Sequence, residues 1–472
     1  MAMFARVIRR PWSLPLAAAV FGGVWLSAQA PQPAATDLAA SVDRIVRSVL
    51  TTTGVPSASV AVVNNRKIVL AHAYGDARLD PRVPARPEMR YGIGSISKQF
   101  TAAAMLWLEE QGKVSLGDPV GKYVSGLARG NEVTIRQVLS HTSGYQDYWP
   151  QDYVMPGMLK PTTSQQILDT WAKRTLDFEP GSKWQYSNTN YVIAGLIVEK
   201  IAGEPLWQVL RERVFTPLGL TSVANIDEHA LPAGDAMGYF RYALGPLRPA
   251  PKEGPGWLFA AGEIAATAAD LAKWDLSIIT ETILKPASYR EMESEVRLTS
   301  GVATNYGLGM DVRLVSGHRR LEHNGEVSGF TAENIVLPDD GMAVAVLTNQ
   351  DAANAAGDIG RQVMARLLDQ AAPPADQTRT DSARHIFDGL RQGTIDRALF
   401  TDNGNAYFSR QALADYAASL SALGAYTSFA PTGTQLRGGM TYRSFAVKFP
   451  GRTVTVSIFE MPDGKIEQFL VI

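Results

Sequence analysis

Two sets of apolar, period-two segments stand at opposite ends of the first 370 or so residues, with a helical stretch between them. Near the start, Ser57-Ala58-Ser59-Val60-Ala61-Val62-Val63 turns at Asn64-Asn65-Arg66-Lys67 and returns as Ile68 to Gly75, the pattern of a hairpin. The period of two comes back in Tyr306 to Val312, Arg319 to His323 and Gly329 to Leu337. A turn at Pro338-Asp339-Asp340-Gly341 then leads into Met342 to Leu347. The expected solution is a single mixed sheet, mostly antiparallel, assembled from both ends of this region. Helices flank it, and the intervening residues are inserted as a helical subdomain. The amphipathic segments Asp37 to Thr52 and Asp358 to Leu368 are candidates for helices that cover it. The class is α/β in the α+β sense.

Further division follows composition. Gln370-Ala371-Ala372-Pro373-Pro374-Ala375-Asp376 reads as a linker, assigned to 371–376, and it ends a main domain of residues 31–370. Residues 377–472 then form a small α+β unit. Its helices are expected near 382–392 and 409–423, and its strands at 440–449, 453–460 and 465–471. No catalytic constellation is visible in this unit. Two roles stay open for it: self-association into a homo-oligomer, or leaning over the active site.

At the N-terminus, Arg6, Arg9 and Arg10 precede an apolar run from Trp12 to Leu26. With the small-x-small triplet Ala28-Gln29-Ala30, residues 1–30 have the layout of a signal peptide, so a periplasmic or secreted location is expected. No 18-residue apolar run follows residue 30, so no stable membrane span is expected after processing. The chain has no cysteine, which excludes disulfides, thiolate metal sites and a Cys nucleophile. Its six histidines do not fall in metal-ligand spacings, and no metal or cofactor is expected. A formal net charge of −1 gives no basic field for nucleic acid.

Three short motifs carry chemistry. In Gly92-Ile93-Gly94-Ser95-Ile96-Ser97-Lys98, two glycines precede a serine, and an Ala-rich apolar run follows. No other lysine in the chain has a serine three positions before it. At a helix start, residues three apart share a face, so the Lys98 amine reaches the Ser95 hydroxyl. A serine needs a base to take its proton, and a lysine becomes a base when burial lowers its pKa. Tyr186-Ser187-Asn188 is the chain's only Tyr-x-Asn. Its phenol suits a proton relay, and its amide suits holding Lys98 or a substrate carbonyl. His323-Asn324-Gly325 sits at or beside an apolar strand, where a glycine lets a substrate backbone approach. Backbone N–H groups of Ser95 and of the next residue, Glu326, would complete an oxyanion hole. Taken singly, each motif is also an ordinary helix start, turn or strand end. There is no Gly-x-Ser-x-Gly, and His141 reads as a loop-stabilising residue.

In that order and together, Ser95-x-x-Lys98, Tyr186-x-Asn188 and His323-x-Gly325 resemble the serine β-lactamase and penicillin-binding protein superfamily. The branch is that of class C β-lactamases, D,D-peptidases and esterases. Leu139-Ser140-His141-Thr142-Ser143-Gly144, Phe178-Glu179-Pro180-Gly181 and Tyr306-Gly307-Leu308-Gly309 are similar to that family's phrases, and the likeness covers about 37–370. The C-terminal unit resembles, more loosely, a nuclear transport factor 2-like fold. The resemblance implies a β-lactamase/transpeptidase-like hydrolase in which Ser95 attacks an amide, β-lactam or ester carbonyl and becomes acylated. Lys98 and Tyr186 would share the acid–base work, with the first proton acceptor left open. Asn188, His323, Asn324, Gly325 and Glu326 would bind a small-molecule or peptidoglycan-derived substrate. His323 stands where the family often has lysine, so a fixed cation becomes a titratable imidazole, expected near the usual His value of about 6.5. Two rivals remain: a carboxylesterase of the same fold, and a non-catalytic sensor of cell-wall fragments or β-lactams.

Overall fold

A computed structural model of the chain describes residues 35–315, 317–368 and 380–472. The signal-like segment 1–30 and the linker 371–376 lie outside the described residues.

The central sheet is built from both ends of the main region. The early strands are β1 (Ser57–Asn64), β2 (Lys67–Leu79) and β3 (Arg82–Pro84). The later ones are β4 (Asp311–Val315), β5 (His318–Val327), β6 (Phe330–Leu337) and β7 (Met342–Thr348). They are ordered β3-β2-β1-β7-β6-β5-β4, so the junction between the two sets is the β1–β7 pair, with Ala61 opposite Ala345. Every pairing in this sheet is antiparallel, not mixed. The apolar runs are explained by burial on both faces. Ala61 and Val63 face one core while Val60 and Val62 face the other, and Ala343 and Ala345 alternate with Val344 and Val346 in the same way.

Two helices cover the outer face: α1 (Ala35–Thr53) and a helix of residues Ala355–Leu368. Leu38, Val42, Val46 and Val49 recur at three- and four-residue spacing on α1 and are buried against Ile359 and Val363. Each such buried side chain contributes about 1.5–3 kcal/mol. The other face packs on α2 (Ser97–Glu110), α3 (Asn188–Ala202) and α4 (Ala268–Thr280), where Phe100, Ile193 and Trp274 share one large core. Thr267 caps α4 by accepting from the Asp270 N–H, a structural role.

Residues 380–472 form a separate core around Phe387, Tyr416, Val456 and Phe469. Helices Thr380–Arg391 and Arg410–Ser421 pack on a four-stranded antiparallel meander. Three of its strands, β9 (Met440–Lys448), β10 (Thr453–Glu460) and β11 (Ile466–Val471), fall where the sequence places them. The first, β8 (Ser428–Arg437), does not: Pro431 and Gly433 interrupt its pattern, and the pairing with β9 shifts register between them. A second difference lies at Tyr306-Gly307-Leu308-Gly309, which bends ahead of β4 and makes only an isolated bridge, Tyr306 to Asp311.

Candidate active site

Ser95 does not lie in the long helix. It occupies a 3₁₀ turn, Gly94–Ile96, that leads into α2. Lys98 is the second residue of α2, and residues three apart across this junction share a face, so the Ser-x-x-Lys spacing brings the pair close. Lys98 Nζ lies 2.9 Å from Ser95 Oγ, 2.8 Å from Asn188 Oδ1 and 2.9 Å from the Ala261 carbonyl oxygen. Lys98 is fully buried, and burial holds its amine well below the ordinary lysine value; Asp147 opposes that shift and Arg437 adds to it. A neutral amine has two N–H groups and one lone pair. Asn188 and Ala261 offer oxygens to the two hydrogens, so the lone pair is left for the Ser95 hydroxyl proton.

Asn188 is the first residue of α3 and not its cap, a position held by Ser187. Its Nδ2 donates to Asp147 Oδ1 at 3.1 Å and to the Trp149 carbonyl at 3.1 Å, and its backbone N–H donates to the same Asp147 oxygen at 2.9 Å. Asp147 thereby fixes the amide so that its oxygen faces Lys98. No motif in the sequence marks Asp147; burial, which pushes its carboxyl up, is visible only in the folded chain. The start of α3 is further tied to the 139–146 segment. Tyr191 donates to the Leu139 carbonyl at 2.8 Å, and Thr189 to that of Gln146 at 2.6 Å.

The Tyr186 hydroxyl is buried without a hydrogen-bond partner of normal geometry, and Ser95 is the side chain with which it interacts. Burial raises the phenol pKa, while Ser95 and Arg437 pull it back. His141 lies under Tyr186 with ring centroids 4.3 Å apart, and its Nδ1 accepts from the Ser187 N–H at 3.2 Å. It supports the loop.

Gly94 and Gly325 bring the serine turn and β5 together. Gly94 has φ +52, and a Cβ built there falls 2.5 Å from Glu326 N; one on Gly325 falls 1.9 Å from the Ile93 carbonyl oxygen and 3.2 Å from Ser95 N. The two backbone nitrogens therefore sit on one wall, as an oxyanion hole requires. Gly325→Ala is expected to force β5 away from this wall, at a cost of about 3 kcal/mol, and to lower kcat. A urea melt and a rate assay on the purified variant check both.

His323 takes a different place from the one its sequence position suggests. Its Nε2 pairs with the Tyr306 hydroxyl at 3.0 Å, and its Nδ1 lies 2.5 Å from the Asn324 carbonyl oxygen. It is 3% exposed, lines neither cavity described below, and burial pushes its pKa down to about 3. The expectation of an imidazole that titrates near 6.5 beside a substrate gives way to a neutral, buried ring.

The Ser95 pocket is walled by Asn188, Ala261, Glu326 and Asp351. The 145–162 loop adds Tyr148, Trp149, Asp152 and Tyr153, and Arg437 comes from the C-terminal unit. Asp152, Glu326 and Arg437 also border a second cavity of about 670 Å³ under the C-terminal sheet, where Asn324 and Gly325 lie. Glu326 Oε1 accepts from the Ala352 N–H at 2.9 Å. Burial, with Asp152 and Asp351 nearby, pushes its carboxyl well above the carboxylate range, and Asp351 is pushed up to about 7. Asp147, Asp152, Asp351 and Arg437 were not legible as site residues. Among the described residues, no group of His, Asp and Glu could hold a metal ion, and no helix is long and apolar enough to cross a membrane.

A family model described as Beta-lactamase matches residues 42–369. The chain is similar to a D-aminopeptidase of Brucella anthropi, 29% identical over 328 residues, which are 69% of this chain and 61% of that protein. A D-aminopeptidase of Brucella ovis is 29% identical over 331 residues, 69% of this chain and 62% of its own length. The chain thus spans about three fifths of these relatives. Among solved structures, a D-stereospecific amidohydrolase from Streptomyces sp. superposes with TM-score 0.60 at 27% identity, covering 70% of this chain and 99% of that one. An octameric penicillin-binding protein homologue from Pyrococcus abyssi shares the fold with TM-score 0.63 at 22% identity, covering 92% of this chain and 99% of its own.

Proposed function

The chain belongs to the beta-lactamase family, and on that premise we propose that it is a serine hydrolase that cleaves the amide bond following a D-amino acid residue with a free amino group. The observation that carries the hydrolase reading is the Lys98 amine. It is dry, is held by two acceptors and lies 2.9 Å from Ser95 Oγ. The D-amino acid reading is supported by the aminopeptidase and amidohydrolase relatives. The signal-like segment 1–30 supports a periplasmic or secreted location for this reaction.

In this reading Lys98 Nζ accepts the Ser95 proton as Oγ attacks the carbonyl carbon. The N–H groups of Ser95 and Glu326 receive the oxyanion. The C–N bond then breaks as the Tyr186 phenol gives its proton to the departing nitrogen, and the Lys98 ammonium returns a proton to the phenolate. Water, deprotonated by the same pair, hydrolyses the acyl-enzyme and releases the acid. The roles run this way because burial favours the neutral amine on Lys98 and the neutral phenol on Tyr186.

The test is to quench the enzyme with acid during turnover of a D-alanine thiobenzyl ester and map its peptides. An acyl adduct on the Ser95 peptide is expected. Turnover with the acyl group on another residue, or with none, overturns the reading.

A further inference from the structure

The C-terminal unit reaches the catalytic residues through the tip of its β8–β9 hairpin. Arg437 forms an isolated bridge with Tyr186, and the Gly438 N–H donates to the Tyr186 carbonyl at 3.3 Å. The Arg437 guanidinium lies 5.5 Å from the Tyr186 ring centroid and 5.6 Å from that of Phe459, so it is held between two rings. Its Nη1 donates to Asp152 Oδ1 at 2.6 Å. Asp152 is fixed in turn by Gln468 of β11, whose amide donates to Asp152 Oδ2 at 2.7 Å and accepts from the Asp152 N–H at 2.7 Å. The hairpin thus carries a clamped cation. It is the one cation among the described residues that line the Ser95 pocket.

We propose that Arg437 is a positioning residue of this active site, supplied by the C-terminal unit, that orients Tyr186 and stabilises its phenolate while the proton passes to the leaving amine. The inference rests on the hydrolase reading above. The other groups around Tyr186 do not do this. Asp147 and Asp311 carry charge that opposes a phenolate. The His141 and His323 rings, at 4.3 and 6.1 Å, are kept neutral by burial. Lys98 Nζ, 5.0 Å from the Tyr186 centroid, is the base in that reading, and burial disfavours its charged form. Tyr306 and Tyr191 are neutral phenols. A permanent guanidinium over the ring face is what remains, and in a dry site its field is strong.

The step it assists matters only for poor leaving groups. An amine must gain a proton as the C–N bond breaks, whereas a thiolate leaves without one. The experiment compares a D-alanine anilide with the thiobenzyl ester of the same acyl group in wild type, Arg437→Met and Arg437→Lys, across pH. Arg437→Met is expected to lower the anilide-to-thioester ratio of kcat/KM by about tenfold or more. It should also move both limbs of the anilide pH profile upward, because Arg437 depresses both Lys98 and Tyr186. Arg437→Lys is expected to restore part of the ratio. An equal loss on both substrates with unmoved limbs makes Arg437 merely structural and overturns the proposal, as does an unchanged ratio. The thioester acylation mass, with Ser95→Ala as control, separates this failure from failure of the hydrolase reading: acylation that persists in Ser95→Ala condemns the reading itself.

Discussion

Ser95→Ala is expected to abolish acyl-enzyme formation and to lower kcat/KM by about a thousandfold or more. In the proposed mechanism the Ser95 hydroxyl is the group of this cluster that bonds to the substrate carbonyl carbon, and the buried Lys98 and Tyr186 do not replace it. The change is small for the fold. Ser95 Oγ has Lys98 as its hydrogen-bond partner, and the 3₁₀ turn is set by backbone geometry around Gly94. The melting temperature should therefore stay close to that of wild type. Intact mass after incubation with the thioester, beside an initial-rate assay, reads the result. A variant that still acylates assigns the nucleophile elsewhere.

Lys98→Met is expected to match that loss of rate while leaving the fold intact or firmer. Methionine fills nearly the same volume, and the unfavourable burial of an amine is removed. The two effects move in opposite directions, which a damaged fold cannot imitate. A pH signature goes with it. Burial depresses the Lys98 pKa in the folded protein, so between the folded value and the unfolded one, about 10.4, the unfolded chain binds more protons. Stability then rises with pH across that window and is reduced below it. Melting temperatures measured from neutral to alkaline pH should show this rise in wild type and a flatter curve in Lys98→Met. The acid limb of any residual rate should also disappear in the variant. Its survival there would give the general-base role to another group.

Much of this site is encoded locally, which is why it can be read from the chain. Ser95 and Lys98 are three residues apart and meet because residues at that spacing share a face where the 3₁₀ turn runs into α2. Tyr186 and Asn188 are two apart on a turn and the first residue of α3. The alternating faces of β1, β6 and β7 dictate a sheet buried on both sides, and Gly325 appears in the sequence as the residue that permits close approach. What the sequence leaves open depends on sums over distant segments. His323 stands in the expected triplet, yet its charge state follows from burial, with Lys98 and Arg437 adding to it from far along the chain. Asp147 carries no motif, because its function is to hold Asn188, a residue 41 positions away. Arg437 was hidden twice: β8 has its period broken by Pro431 and Gly433, and its target lies in another unit. Residue type and spacing therefore determined which chemistry the chain could perform. Only the tertiary structure decided which groups are dry, which are charged and which cation faces the phenol, because desolvation and Coulomb interaction act through space and not along the chain.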